Sequence, residues 1–224
     1  MCARIPGGEE IPIRSLQPGR IALIALLLAL PIHAQERWTQ TPHFVVYEPC
    51  PSPQGLPLVL CFSPAGQANV AAQQWLPMAR KHKLLLAGSK QFRNGPDQTQ
   101  EISKAYQAEL KTAYRPDPGR SFCTGLSGGG QYSYAFMLTH PRDFAGVVTN
   151  TCYIRDDQKQ LRWPSGKVAV LLASPGDFRY AQMKADHSFL KSLGWKVTWL
   201  EFDGGHTYAP ASLLPSALIP FGFR

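Results

Sequence analysis

From residue 44 onward, short apolar runs alternate with longer stretches in which apolar residues recur at helical spacing. The runs at 44–47, 58–62, 84–87, 121–123, 144–149, 168–173 and 197–202 predict strands, with little alternation between apolar and polar positions. Such runs suit strands buried on both faces, as in a parallel sheet covered by helices on either side. Helical spacing is clearest over 99–114, where Ile102, Tyr106, Leu110 and Ala113 share one face. Shorter helices are predicted over 75–81, 131–138 and 180–193, with a closing one over 213–218. Asp117-Pro118-Gly119 breaks the chain before the strand at 121–123, as a Pro-Gly pair does. Strand–helix alternation without internal repeats or low-complexity linkers predicts one α/β domain, a mostly parallel central sheet flanked by helices.

The first 34 residues fall outside this pattern. Arg14 and Arg20 precede an unbroken apolar run from Ile21 to Leu30, followed by Pro31-Ile32-His33-Ala34. That order reads as a basic n-region, a short h-region and a cleavage site after Ala34. Residues 1–34 are therefore expected to be a signal peptide and 35–224 the mature domain, secreted or periplasmic. The apolar run is too short to span a bilayer, so stable membrane insertion is not expected. Glu9 and Glu10 are atypical of an n-region and suggest a translation start further in.

Composition narrows the classes further. The leader takes three basic and two acidic residues with it, so the formal charge of +8 becomes +7 for the mature domain. Its basic residues are scattered, with no stripe interleaved with aromatics, and no nucleic-acid partner is expected. Cys50, Cys61, Cys123 and Cys152 remain after cleavage. In an exported chain they permit two disulfides in any of three pairings. Cys61 and Cys123 lie mid-strand, where a buried free thiol is an equally good reading. No C-x-x-C or C-x-x-H spacing supports structural zinc.

Candidate chemistry centres on Gly125-Leu126-Ser127-Gly128-Gly129, between an apolar run and a helical one. That is the strand–turn–helix setting of a nucleophile elbow, in which glycines remove the Cβ atoms that would clash in the tight turn. A serine hydroxyl needs a base, and the base an orienting acid. Two histidines follow Ser127 at a useful distance, His187 and His206. His187 falls inside a predicted helix, whereas His206 leaves the last strand on a Gly204-Gly205 loop, which makes it the better base. The acid assigned to it is Asp177, after the strand at 168–173 and on the sheet edge where ligands bind in open α/β folds. Asp177 also suits an N-cap for the next helix. Asp156 and Asp157 are the runner-up acids. Gly128 N–H is one expected oxyanion donor, and Ala65 the other, with Gly66 as second choice because Pro64 has no N–H. Tyr132, Trp163 and Tyr208 are candidate cleft aromatics.

The elbow, Leu58-Val59-Leu60 before a small-residue loop, Trp75 with Ala79, Asp117-Pro118 with Arg120, His140-Pro141 with Phe144-Ala145 and Gly204-Gly205-His206 occur in the order seen in α/β-hydrolases. Over residues 42–210 the chain resembles the secreted esterases related to polyhydroxyalkanoate depolymerases and to feruloyl or acetylxylan esterases. The resemblance implies a single-domain α/β-hydrolase with Ser127, Asp177 and His206 as a catalytic triad. Two departures stand out. The family's His-Gly in the oxyanion loop is Ser63-Pro64 here, and the chain has no room for a lid domain, residues 153–167 being the one candidate cap.

These readings combine into an exported serine hydrolase that cleaves carboxylic esters through an acyl-enzyme. It needs no metal or organic cofactor, and its partner is a small-molecule or polymer-borne ester. A serine peptidase on the same fold and a non-catalytic binding module are the alternatives.

Overall fold

A computed structural model describes residues 36–95 and 97–224. The expected signal peptide lies outside them. The strands are β1 (Arg37–Gln40), β2 (Phe44–Glu48), β3 (Leu58–Phe62), β4 (Leu85–Ser89), β5 (Phe122–Leu126), β6 (Gly146–Asn150), β7 (Val168–Ala173) and β8 (Lys196–Glu201). They form one sheet in the order β1-β2-β4-β3-β5-β6-β7-β8. β2 pairs antiparallel with β1 and β4, and every pair from β4 through β8 is parallel. The α/β expectation is met, and β1 is an addition to it. Its Arg-Trp-Thr-Gln sequence offers a single large apolar residue, so no run announced it.

The helices are α1 (Ala68–Gln73), α2 (Leu76–His82), α3 (Thr99–Ala105), α4 (Gly128–Thr139), α5 (Asp156–Lys159), α6 (Tyr180–Ser192) and α7 (Leu214–Leu218). α3 runs on through a π-helical turn at Tyr106–Lys111 and a last turn at Thr112–Tyr114. The predicted helix over 99–114 is thus present, with its periodicity loosened mid-way. α1 was not predicted, because its buried side is only Ala68, Ala71 and Ala72.

Each strand supplies both halves of the core through the period-two alternation of a strand. Leu58, Leu60 and Phe62 of β3 pack with α3, α4 and α6 on one face, while Val59 and Cys61 pack with α1, α2 and α7 on the other. The same alternation separates two cysteines on neighbouring strands. Cys123 pairs in register with Leu60 and lies on the first face, whereas Cys61 lies on the second. All four described cysteines are free thiols, and burial raises the pKa of Cys61, Cys123 and Cys152. No helix among the described residues is long and apolar enough to cross a membrane.

This topology places the site. The chain leaves β3 toward β4 on one side and leaves β5 toward β6 on the other. Ligand crevices in open α/β sheets form outside the carboxyl ends of strands at such a reversal. Close packing holds the elbow there: a Cβ on Gly129 would sit 2.2 Å from the Phe62 carbonyl oxygen, and one on Gly125 2.4 Å from the Gly129 carbonyl carbon. Both obstacles are backbone and cannot rotate away. Gly129→Ala is therefore expected to destabilise the domain by at least the ~1–3 kcal/mol typical of overpacking. Thermal melting should read this as a loss of roughly 2–4 °C per kcal/mol. An unchanged melting temperature would mean that α4 does not need this close approach.

Candidate active site

Ser127 sits between β5 and α4 with φ 51 and ψ −121. A non-glycine residue in such a conformation carries about 1–3 kcal/mol of strain and persists only where its surroundings enforce it. Enforcement comes from both sides. Ser127 N–H donates to the Asn150 carbonyl of β6 at 3.1 Å, and Ser127 O accepts from Gln131 N–H at 3.0 Å as α4 begins. The hydroxyl is left on the wall of a cavity of about 540 Å³.

His206 lines the same cavity from the loop after β8. Its Nδ1 lies 2.6 Å from Asp177 Oδ2, and the Asp177 side chain is fully buried while that of His206 is 30% exposed. The other carboxylate oxygen accepts Arg179 N–H at 2.6 Å, and Tyr180 N–H closes a turn on the Asp177 carbonyl at 3.0 Å. Asp177 therefore does both jobs the sequence allowed, organising the approach to α6 with one oxygen and engaging the imidazole with the other. Asp156 and Asp157 point elsewhere. The Asp156 side chain is fully exposed, and Asp157 pairs with Arg155 at 2.5 Å. His187 packs on Trp199 from α6, where burial lowers its pKa, and it does not reach the cavity.

The histidine loop is pinned by residues the sequence did not single out. Gly205 N–H donates to the buried Ser174 hydroxyl at 2.9 Å. Thr151 Oγ1 donates to the Thr207 carbonyl at 3.1 Å, and Ala209 N–H donates to Asn150 Oδ1 at 3.0 Å. Asn150 thus holds the serine elbow through its backbone and the histidine loop through its side chain. Buried small polar residues at strand ends carry no motif, and only the tertiary structure reveals this clamp.

The expected oxyanion donors fare differently. Gly128 lines the cavity beside Ser127, and Ala65 does not. Ala65 N–H faces Ser63 Oγ at 3.4 Å, and Gly66 N–H is occupied by the Ser63 carbonyl at 3.1 Å. Opposite the elbow stands Asn94, from the loop after β4. A Cβ on Gly128 would lie 1.9 Å from Asn94 Oδ1, and Asn94 N–H is anchored to the Pro64 carbonyl at 3.0 Å. The β4 loop therefore lies over the β3 loop and presents its own amide to the site. Of the candidate aromatics, Tyr132 lines the cavity, whereas Trp163 packs among Tyr134, Phe189 and Trp195, and Tyr208 lies off the lining. Segment 153–167 does form part of the rim. Gln158 ties it to the elbow helix by donating to the Gln131 carbonyl at 2.9 Å.

No family model matches the sequence, and no curated protein matches it. Solved structures do share its fold. S-formylglutathione hydrolase of Staphylococcus aureus superposes with a TM-score of 0.62 at 14% identity, covering 84% of this chain and 98% of its own. A ferulic acid esterase gives 0.59 at 13% identity, covering 84% of this chain and 97% of its own. The acylaminoacyl peptidase of Pyrococcus horikoshii gives 0.54 at 15% identity over 81% of this chain and 39% of its own. The fold is that of the α/β-hydrolases. Fold alone does not select a reaction, which has to be argued from the site.

Proposed function

We propose that this protein is a serine hydrolase that cleaves carboxylic esters through an acyl-enzyme. The observation that carries the reading is the Asp177–His206 hydrogen bond of 2.6 Å, with His206 lining the same cavity as a strained elbow serine. Asp177 accepts a hydrogen bond from Nδ1–H of His206, which leaves Nε2 free as the proton acceptor. Ser127 Oγ attacks the ester carbonyl as His206 Nε2 takes its proton. Collapse of the tetrahedral intermediate returns that proton to the departing alcohol. Water, deprotonated by the same nitrogen, then releases the acid and restores the serine. Gly128 N–H is the first oxyanion donor, and the Asn94 carboxamide, whose Oδ1 is the atom nearest Gly128, becomes the second once it turns its NH₂ to the same wall. Ala65 stays in reserve, since it would have to turn from Ser63 to take part.

The two neighbours matched over nearly their whole length are named an S-formylglutathione hydrolase and a ferulic acid esterase, which supports the ester reading, whereas the acylaminoacyl peptidase is matched over 39% of its own chain. The basic-then-apolar order of residues 14–34 supports export.

The test is direct. A fluorophosphonate probe is expected to label Ser127 alone, and purified protein is expected to hydrolyse p-nitrophenyl esters of short acids. Labelling at Ser63, Ser133 or Ser174 with Ser127 untouched would replace the mechanism. Absence of both labelling and turnover in folded protein would leave a binding module.

A further inference from the structure

We infer that the cavity selects esters carrying a carboxylate, which Arg179 binds with help from Arg93. This rests on the ester-hydrolase reading above and adds a substrate class to it. Both arginines line the cavity, and among the described residues neither pairs with a carboxylate side chain. Arg155 also lines it, but Asp157 neutralises that charge at 2.9 and 2.5 Å. The lone lining carboxylate, Asp97, is turned to its own loop, accepting Thr99 N–H at 2.9 Å.

Arg179 is the better-placed cation. Its guanidinium carbon lies 4.7 Å from the Tyr153 ring centre and 5.3 Å from that of Phe178. The Phe178 ring in turn lies 4.8 Å from the imidazole of His206. The charge is therefore one aromatic ring removed from the proposed base. Sequence explains the placement: Arg179 is two residues after Asp177, so the turn that fixes the acid also fixes the cation. Its polar side-chain partner is the Gln182 amide, which with its ends suitably turned accepts from Nη1 at 3.3 Å. Most of the five guanidinium donors stay free for a ligand, and a planar fork matches a carboxylate in bidentate fashion. Stacking between rings restrains the side chain without neutralising it.

One further feature suits such a substrate. Phe178 is 70% exposed at the rim, an isolated large apolar surface beside the catalytic groups. It offers packing to the hydrocarbon that joins the ester to its charge.

The experiment compares matched esters that differ in one charge. One pair is p-nitrophenyl hydrogen adipate against p-nitrophenyl hexanoate, with the carboxylate on the acid. The other is 4-acetoxybenzoate against its methyl ester, with the carboxylate on the leaving alcohol. At low salt at least one pair is expected to favour the anion about tenfold or more in kcat/KM. That ratio should shrink with added sodium chloride, as screening requires. It should collapse in Arg179→Gln and largely survive in Arg179→Lys. Ratios at or below one in both pairs, or ratios unmoved in Arg179→Gln, would overturn the inference while neutral-ester turnover upholds the hydrolase. Should no ester be cleaved, adipate binding to the intact protein by calorimetry still decides the matter. Binding that weakens tenfold in Arg179→Gln supports the anion site, and undetectable binding removes it. Inorganic phosphate binding more tightly than adipate would overturn the carboxylate assignment.

Discussion

Ser127→Ala is expected to lower kcat for ester hydrolysis by about 10⁶-fold, as loss of the serine does in a triad that acts as a unit. The folded state should barely notice. The Ser127 side chain has no hydrogen-bond partner among the described residues, and its backbone contacts to Asn150 and Gln131 survive the change. A stability shift within about 0.5 kcal/mol is the expectation for a substitution that breaks no packing or polar contact. Activity and melting curves measured on one preparation give the decisive contrast. Full turnover in Ser127→Ala would assign the chemistry to another residue. A large fall in melting temperature would instead mean that the elbow hydroxyl is structural.

The elbow was legible because its chemistry is local. Gly125 and Gly129 flank Ser127 in a single tight turn, and the spacing of those three residues is itself the signal; the structure adds that a Cβ on either glycine would meet backbone of Phe62 or of the elbow. The partners were legible by a weaker argument, that residues after parallel strands converge on one sheet edge. Asp177 and His206 meet that condition, and their side chains touch. Strands 58–62 and 168–173 were also read to the residue, because each is an unbroken apolar run buried on both faces.

What escaped the sequence escaped for physical reasons. β1 is an edge strand whose Arg37 and Thr39 serve the buried Glu48, so polar residues stand where a core strand would carry apolar ones. Asn94 and Asn150 owe their places to which loop folds over which. Asn94 is brought to the elbow by a backbone bond to Pro64 that joins the loops of two crossed-over strands. No spacing along the chain encodes that contact. Position in the loop after β3 points to Ala65, and the Ser63-Pro64 departure is what turns it from the cavity. The Ser63 hydroxyl and carbonyl draw the N–H groups of Ala65 and Gly66 into a local turn.

Asp177→Asn is expected to lower kcat by on the order of 10⁴ with the domain still folded. The geometry explains why so small a change has so large an effect. One carboxylate oxygen of Asp177 accepts Arg179 N–H and the other faces His206 Nδ1, each at 2.6 Å. An asparagine keeps a single carbonyl oxygen, and the Arg179 N–H holds it. The amide NH₂ must then face His206, whose Nδ1 is forced to accept. The imidazole proton moves to Nε2, and a protonated nitrogen cannot take the Ser127 proton. Catalysis fails by tautomer, with every heavy atom in place. Asp156→Asn and Asp157→Asn, whose carboxylates make no contact with His206, provide the controls and should keep near-wild-type kcat. Should Asp177→Asn retain more than a tenth of the activity while Asp157→Asn loses it, the orienting acid lies on the β6 loop. The buried Asp177 carboxylate would then be only a helix-approach cap.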